Sequence, residues 1–197
     1  SITVQVTNKQ PSSRWYSGSG IYRDVTLSYR DKVHVAENGN HITTPKLAEQ
    51  KEGNVETQVQ SKIKNTDKKA AKVFVEQQIF TKEGKVVSEL VRSETKNLAE
   101  NEVADFRQTI LVNKPTLWTT KSYHPQLYVL KTKVYKEGQL VDVTEDTFGY
   151  RYFNWTAKDG FSLNGERMKF HGVSIHHDNG ALGCLLYTSD AADEEDS

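Results

Sequence analysis

Residues 55–63 read Val-Glu-Thr-Gln-Val-Gln-Ser-Lys-Ile, with Val55, Thr57, Val59, Ser61 and Ile63 alternating with charged or amide side chains. A period of two over nine residues is the signature of a half-buried strand, because successive side chains leave opposite faces of the pleat. Working outward, the same pattern recurs. Ala104, Phe106, Gln108, Ile110 and Val112 give the run 103–112 one mainly apolar face. Val33 and Val35 begin an earlier run, and further runs cover 73–80, 86–91, 127–135 and 140–144. Turn signals separate them: Asn65-Thr66-Asp67, Glu83-Gly84 and Glu137-Gly138. No stretch longer than about two helical turns shows period 3.6. Short strands at this spacing predict an all-β, antiparallel, immunoglobulin-like sandwich over 31–147, roughly the 100 residues usual for that architecture. That piece is expected to fold as a cooperative unit, with 149–197 held loosely.

Two flanking pieces do not read as domains of their own. In 1–30, Ile2, Val4 and Val6 alternate with polar residues, and Ile21, Tyr22, Val25 and Leu27 form a second run. Two strands around a Ser/Gly/Pro-rich loop cannot bury a core, so this is expected to be the end of a larger β domain. In 148–183, Phe161 to Phe170 read as a hairpin around Asn164-Gly165, a pair suited to a type I′ turn. A short apolar strand follows and ends in Ile175-His176-His177-Asp178. Titratable residues gathered at the C-terminal end of a buried strand mark the rim of a parallel barrel. The piece is therefore expected to be the start of a (β/α)8 barrel.

Composition bounds the function. The chain has 197 residues, with 26 basic and 26 acidic side chains and a formal net charge of +0. No global field argues for nucleic acid or an anionic membrane. No apolar run approaches the roughly 20 residues a membrane helix requires. The opening SITVQVTNKQ lacks the layout of a signal peptide and begins without Met. It reads as a cut inside a domain, which leaves cytoplasmic, periplasmic and secreted locations equally open. The single cysteine, Cys184, excludes an internal disulfide framework. It opens the tail CLLYTSDAADEEDS, in which five acidic residues meet no basic one. This tail, 184–197, resembles the translation of a sequencing-library adapter; the alternative is a genuine acidic disordered tail.

Three motifs occur in order: Ser13 to Val25 (SRWYSGSGIYRDV); Leu117-Trp118 with Pro125-Gln126-Leu127-Tyr128; and Phe148-Gly149-Tyr150-Arg151 leading to Gly160-Phe161-Ser162-Leu163-Asn164-Gly165 and Gly172 to Asp178. Together they resemble glycoside hydrolase family 2, most closely its β-galactosidase members. The resemblance implies a sugar-binding jelly roll ending at about residue 30, a sandwich over 31–147 and the start of the catalytic barrel over 148–183. It implies a retaining exo-glycosidase acting on terminal β-galactosides or a related oligosaccharide, with β-glucuronidase and β-mannosidase as relatives of the same architecture. A homo-oligomer of the full-length enzyme fits the same picture, and neither nucleic acid nor membrane is an expected partner. The rival class is a non-catalytic β-sandwich module for carbohydrate binding or adhesion.

Retaining chemistry needs two carboxyl groups about 5–5.5 Å apart. By resemblance both lie on later barrel strands, so no residue of this chain is assigned a catalytic role and the fragment alone is expected to be inactive. Glu145, Asp146 and Glu166 match no catalytic position and are expected to cap loops and solvate edges. The resemblance places His176 at the barrel rim, where a neutral imidazole can donate to and accept from a sugar hydroxyl, with Asp178 beside it. Ile175 replaces an arginine found in some relatives. Arg14 and Trp15 lie in a loop read either as shaping the sugar site or as packing between domains. Trp118 and Tyr128 read as core or interface aromatics, and Trp155 as a wedge between sandwich and barrel. No cofactor is expected in the fragment; one branch of the family uses Mg²⁺ and Na⁺, held mainly by residues outside it. A metal cluster of His171, His176, His177 and Asp178 is disfavoured, since neighbours on a strand face opposite ways.

Overall fold

The computed structural model describes residues 2–7, 25–121 and 125–172. It divides the chain into two compact units, one of residues 29–169 and one of 1–28 with 170–197. In the second unit, the described residues 2–7 and 25–28 carry no strand. Ile2, Val4, Val25 and Leu27 are exposed. Alternation makes a strand only where another strand takes its backbone bonds, and no described residue does so here. The strands expected at the N-terminus are corrected to that extent.

The regular structure of residues 29–169 is almost all strand. One sheet joins β1 (Val33–Thr43), β2 (Asn54–Asn65) and β6 (Val103–Asn113) in the order β1-β2-β6. The other joins β3 (Ala71–Thr81), β4 (Val91–Arg92), β7 (Tyr128–Lys136) and β8 (Gln139–Phe148) as β4-β3-β7-β8, with β5 (Lys96–Leu98) also pairing β3. All pairs are antiparallel. β2 and β6 run in unbroken register from Asn54 opposite Asn113 to Lys64 opposite Val103. The side chains of Val55, Thr57, Val59, Ser61 and Ile63 are all buried, as their alternation requires. Glu137 and Gly138 both adopt positive φ, 49° and 82°, and close the β7–β8 hairpin. The architecture is the immunoglobulin-like sandwich expected from the sequence. α1 (Leu47–Gln50) is its one short helix among the described residues, and it seats Leu47 in the core.

Two strand readings change. The run 86–91 is not continuous: Val86 bridges Phe80, Ser88 bridges Val112, and only Val91–Arg92 pairs as β4. Val86 and Leu90 stay exposed, so there is little apolar burial to hold a longer edge strand. Residues 153–156 form β9 (Phe153–Thr156), which pairs with β10 (Gly160–Leu163), itself paired with β11 (Glu166–Met168). Asn164 and Gly165, at φ 53° and 85°, make the tight turn anticipated for that pair. The expectation that everything beyond 148 is loosely held is corrected for 149–169, which belongs to the same compact unit as the sandwich.

The core has two apolar clusters. One gathers Val33, Ile63, Val73, Val75, Leu98, Phe106 and Val134; the other gathers Leu47, Val59, Ile79, Ile110, Tyr128, Leu130 and Tyr150. Each draws on both sheets, which is what holds the sheets face to face.

Candidate functional site

Of the residues assigned to a sugar site, Arg14, Trp15, His176 and Asp178 all lie outside the described residues. What the structure does describe is the end of the sandwich at Tyr150, after which the chain continues in sequence toward His176 and Asp178, and how that end is built.

The exit is fastened by Tyr150. Its ring is fully buried, and its hydroxyl pairs with Thr57 Oγ1 at 2.8 Å. Tyr128 and Phe148 meet it edge-on, with centroids at 4.9 and 5.2 Å, a geometry that suits the ring quadrupole. Tyr128 in turn accepts from the backbone N–H of Thr116 at 2.9 Å. Tyr128 is thus the core aromatic expected of it. Burial raises the Tyr150 phenol well above its ordinary pKa, although the Thr57 bond acts in the opposite sense.

Trp118 sits beside this anchor. Its backbone N–H donates to Tyr150 O at 2.8 Å, and the Arg151 guanidinium lies 4.8 Å from its ring centroid. Gly149 passes so close that a Cβ there would stand 2.9 Å from Trp118 Cβ. Around them a groove of about 780 Å³ is lined by Ile42, Pro45, Leu127, Thr147, Tyr152 and Phe153, among others. It offers an indole, a guanidinium and apolar walls.

Asn164 ties the following sheet to this corner. Its side-chain amide donates to Trp118 O at 2.8 Å, and its Oδ1 accepts from Tyr152 N at 3.1 Å. Its own backbone N–H donates to Tyr152 O at 2.8 Å. Lys51 reaches the Tyr152 hydroxyl at 3.3 Å from the helix side. Trp155 is expected to be a wedge; the structure leaves it 67% exposed, with its ring 5.8 Å from Phe161. The clamp was missed in the sequence, where Asn164 signals only a turn.

The available carboxylates have partners of other kinds. Glu145 pairs with Lys131 at 2.8 Å, and Glu166 pairs with Lys121. Asp146 departs from the expected edge role: its Oδ2 accepts from Asn40 Nδ2 at 2.6 Å, part-buried beneath the sheet. His171 is exposed. Among the described residues no three His, Cys, Asp or Glu side chains gather into a cation site.

Three comparisons place this architecture. The chain is 37% identical over 188 residues to the β-galactosidase BoGH2A of Bacteroides ovatus, a match covering 95% of this chain and 21% of that protein. It is 28% identical over 169 residues to a β-glucuronidase of Bacteroides fragilis, covering 85% of this chain and 24% of that one. The crystal structure of a glycosyl hydrolase family 2 member from Bacteroides cellulosilyticus superposes with a TM-score of 0.66 at 30% identity, over 77% of this chain and 20% of that chain. The chain thus spans about a fifth of the length of these relatives. The family described as Glycosyl hydrolases family 2 matches residues 33–151, from the first strand of the sandwich to the arginine on Trp118, and the chain belongs to that family.

Proposed function

We propose that this chain is the sandwich-centred portion of a retaining exo-glycosidase that hydrolyses terminal β-galactosides. The carrying observation is the 37% identity to a named β-galactosidase across 95% of the chain. On this reading residues 1–30 close a sugar-binding jelly roll, 31–147 are the sandwich, and 148–183 open the catalytic barrel. The reaction is a double displacement. One carboxylate attacks the anomeric carbon and forms a glycosyl-enzyme, while the other protonates the departing oxygen; the second then takes a proton from water as the ester is hydrolysed. That pair is assigned to later barrel strands. His176 and Asp178 would bond the sugar hydroxyls, and Arg14 and Trp15 would shape the mouth of the site. The chain's own contribution is positional: the Tyr150 anchor and the Asn164 clamp set where the polypeptide starts toward that site.

A β-glucuronidase is the second reading, favoured by the relative from Bacteroides fragilis of that name. The test is the full-length gene product assayed on aryl β-galactoside, β-glucuronide and β-mannoside. Preference for the galactoside supports the proposal. Preference for the glucuronide overturns the sugar assignment, and cleavage of none favours a non-catalytic binding module.

A further inference from the structure

The two apolar clusters of the sandwich are separated by a polar layer. Four strands contribute to it at one level. β2 reads Val59, Ser61, Ile63; β3 reads Ile79, Gln77, Val75; β6 reads Ile110, Gln108, Phe106; β7 reads Leu130, Thr132, Val134. In each, the outer members belong to opposite clusters and the middle residue to neither. Asn40 joins from β1. A bulge between Val35 and Asn40 brings it opposite Ser61. Gly39 makes that bulge feasible, since a Cβ there would sit 2.7 Å from Ala36 O.

Much of the layer is satisfied. Gln77 Nε2 donates to Ser61 Oγ at 2.8 Å and to Thr132 Oγ1 at 2.9 Å. Ser61 donates to Asn40 Oδ1 at 2.5 Å, and Asn40 Nδ2 donates to Thr144 Oγ1 at 3.1 Å and to Asp146. Three atoms are left over. Gln77 Oε1, Gln108 Nε2 and Gln108 Oε1 are buried and find no partner among the described residues. Gln77 is fully buried and Gln108 is 8% exposed. A buried amide left unbonded is strongly unfavourable, and native proteins almost always satisfy such groups.

We infer that the layer is a binding site for ordered water, bridging Gln77 Oε1 to the Gln108 amide. The chemistry of the three atoms selects the ligand. Two are acceptors and one is a donor. A cation would leave Gln108 Nε2 unbonded, and an anion would leave both carbonyl oxygens unbonded. Water donates twice and accepts as well, and buried waters ordinarily make about three such bonds. Gln108 also lines a groove of about 590 Å³ beside β4 and β5, with Arg92, Ser93, Lys96 and Asp105 among its walls.

The test is a crystal structure of the 197-residue chain at a resolution that orders water, together with Gln108→Leu. The expected result is a density peak within about 2.7–3.2 Å of both Gln77 Oε1 and a Gln108 polar atom, absent from Gln108→Leu with the backbone unchanged. A dry layer with the Gln108 amide bonded to protein groups overturns the inference, as does a peak that persists unmoved in the variant. In solution, Gln77→Leu, Gln108→Leu and the double variant are compared by urea denaturation. A shared water makes the double shift in midpoint smaller than the sum of the single shifts, and additive shifts overturn the bridge.

Discussion

The side-chain amide of Asn164 donates to the carbonyl oxygen of Trp118 at 2.8 Å, joining two points 46 residues apart. The same side chain accepts from Tyr152 N, and the same residue holds the positive φ of a hairpin turn. One asparagine thereby fixes the β9–β11 sheet to the end of the sandwich. Turn geometry and clamp are separable by substitution. Asn164→Gly keeps the backbone permissive and loses two side-chain bonds, so it is expected to cost about 1–2 kcal/mol. Asn164→Ala adds the strain of a β-carbon at positive φ, about 1 kcal/mol more. Urea denaturation ranks the variants, and hydrogen exchange at Tyr152 and 160–168 locates the loss; equal stability of wild type and Asn164→Ala would remove the clamp from the account.

Tyr150 carries a second expectation. Tyr150→Phe leaves Thr57 Oγ1 buried without its partner and is expected to cost about 1–3 kcal/mol. Pairing it with Thr57→Val should recover part of that. The alkaline limb of stability gives an independent reading. The phenol's pKa is raised in the folded chain by burial, so the folded state holds its proton more tightly than the unfolded chain does. Its contribution is complete below the ordinary value of 10.0 and declines as pH climbs beyond it. Tyr150→Phe should flatten the stability profile above pH 10, and an unchanged slope there would count against the buried hydroxyl.

Asp67 governs the acid side. Its carboxylate accepts from Lys136 Nζ at 2.9 Å and from Lys32 Nζ at 3.4 Å. The Lys136 bond leads the causes that lower its pKa from 3.8 to about 2. A depressed folded pKa stabilises above the unfolded value and is lost as pH falls through the folded one. The window is therefore roughly pH 4 down to pH 2. Asp67→Asn should show less acid sensitivity across that window and little pH-dependent difference from wild type above pH 5. The pair is solvent-accessible, so 1 M salt should shrink the effect.

Gly39 tests the bulge that delivers Asn40 to the core. Gly39→Ala places a β-carbon against two backbone carbonyls, Ala36 O at 2.7 Å and Lys62 O at 3.0 Å. Backbone cannot step aside as a side chain can, so a loss of about 2 kcal/mol or more is expected. A thermal midpoint within a degree of wild type would mean the bulge relaxes freely.

Legibility in the sequence followed burial. β2, β6 and the β7–β8 hairpin could be read directly because their alternation coincides with a buried face and their turn carries Glu137-Gly138. Residues 86–91 misled because Val86 and Leu90 look like strand members but remain exposed, leaving only a short edge pairing. The opening strands misled because alternation says nothing about who supplies the partner. β9 escaped notice because Phe153 and Trp155 are exposed aromatics on a four-residue strand, and the turn at 157–159 that pairs it with β10 carries no Asn-Gly or Pro signal. The polar layer was partly visible, with Ser61 and Gln108 already standing on apolar faces. Its depth depends on the β1 bulge, which no periodicity announces. The sugar-facing residues came from motif resemblance alone, and Arg14, Trp15, His176 and Asp178 lie outside what the structure describes.

The central claim is that this stretch supports a glycosidase without supplying its acid pair. Its most direct measurement is release of aryl alcohol from a β-galactoside by the purified 197-residue chain, beside the full-length gene product. The expected result is turnover by the full-length protein and none above buffer by the chain. Turnover by the chain itself would contradict the account, because it would require a nucleophile and a proton donor among residues to which neither is assigned here.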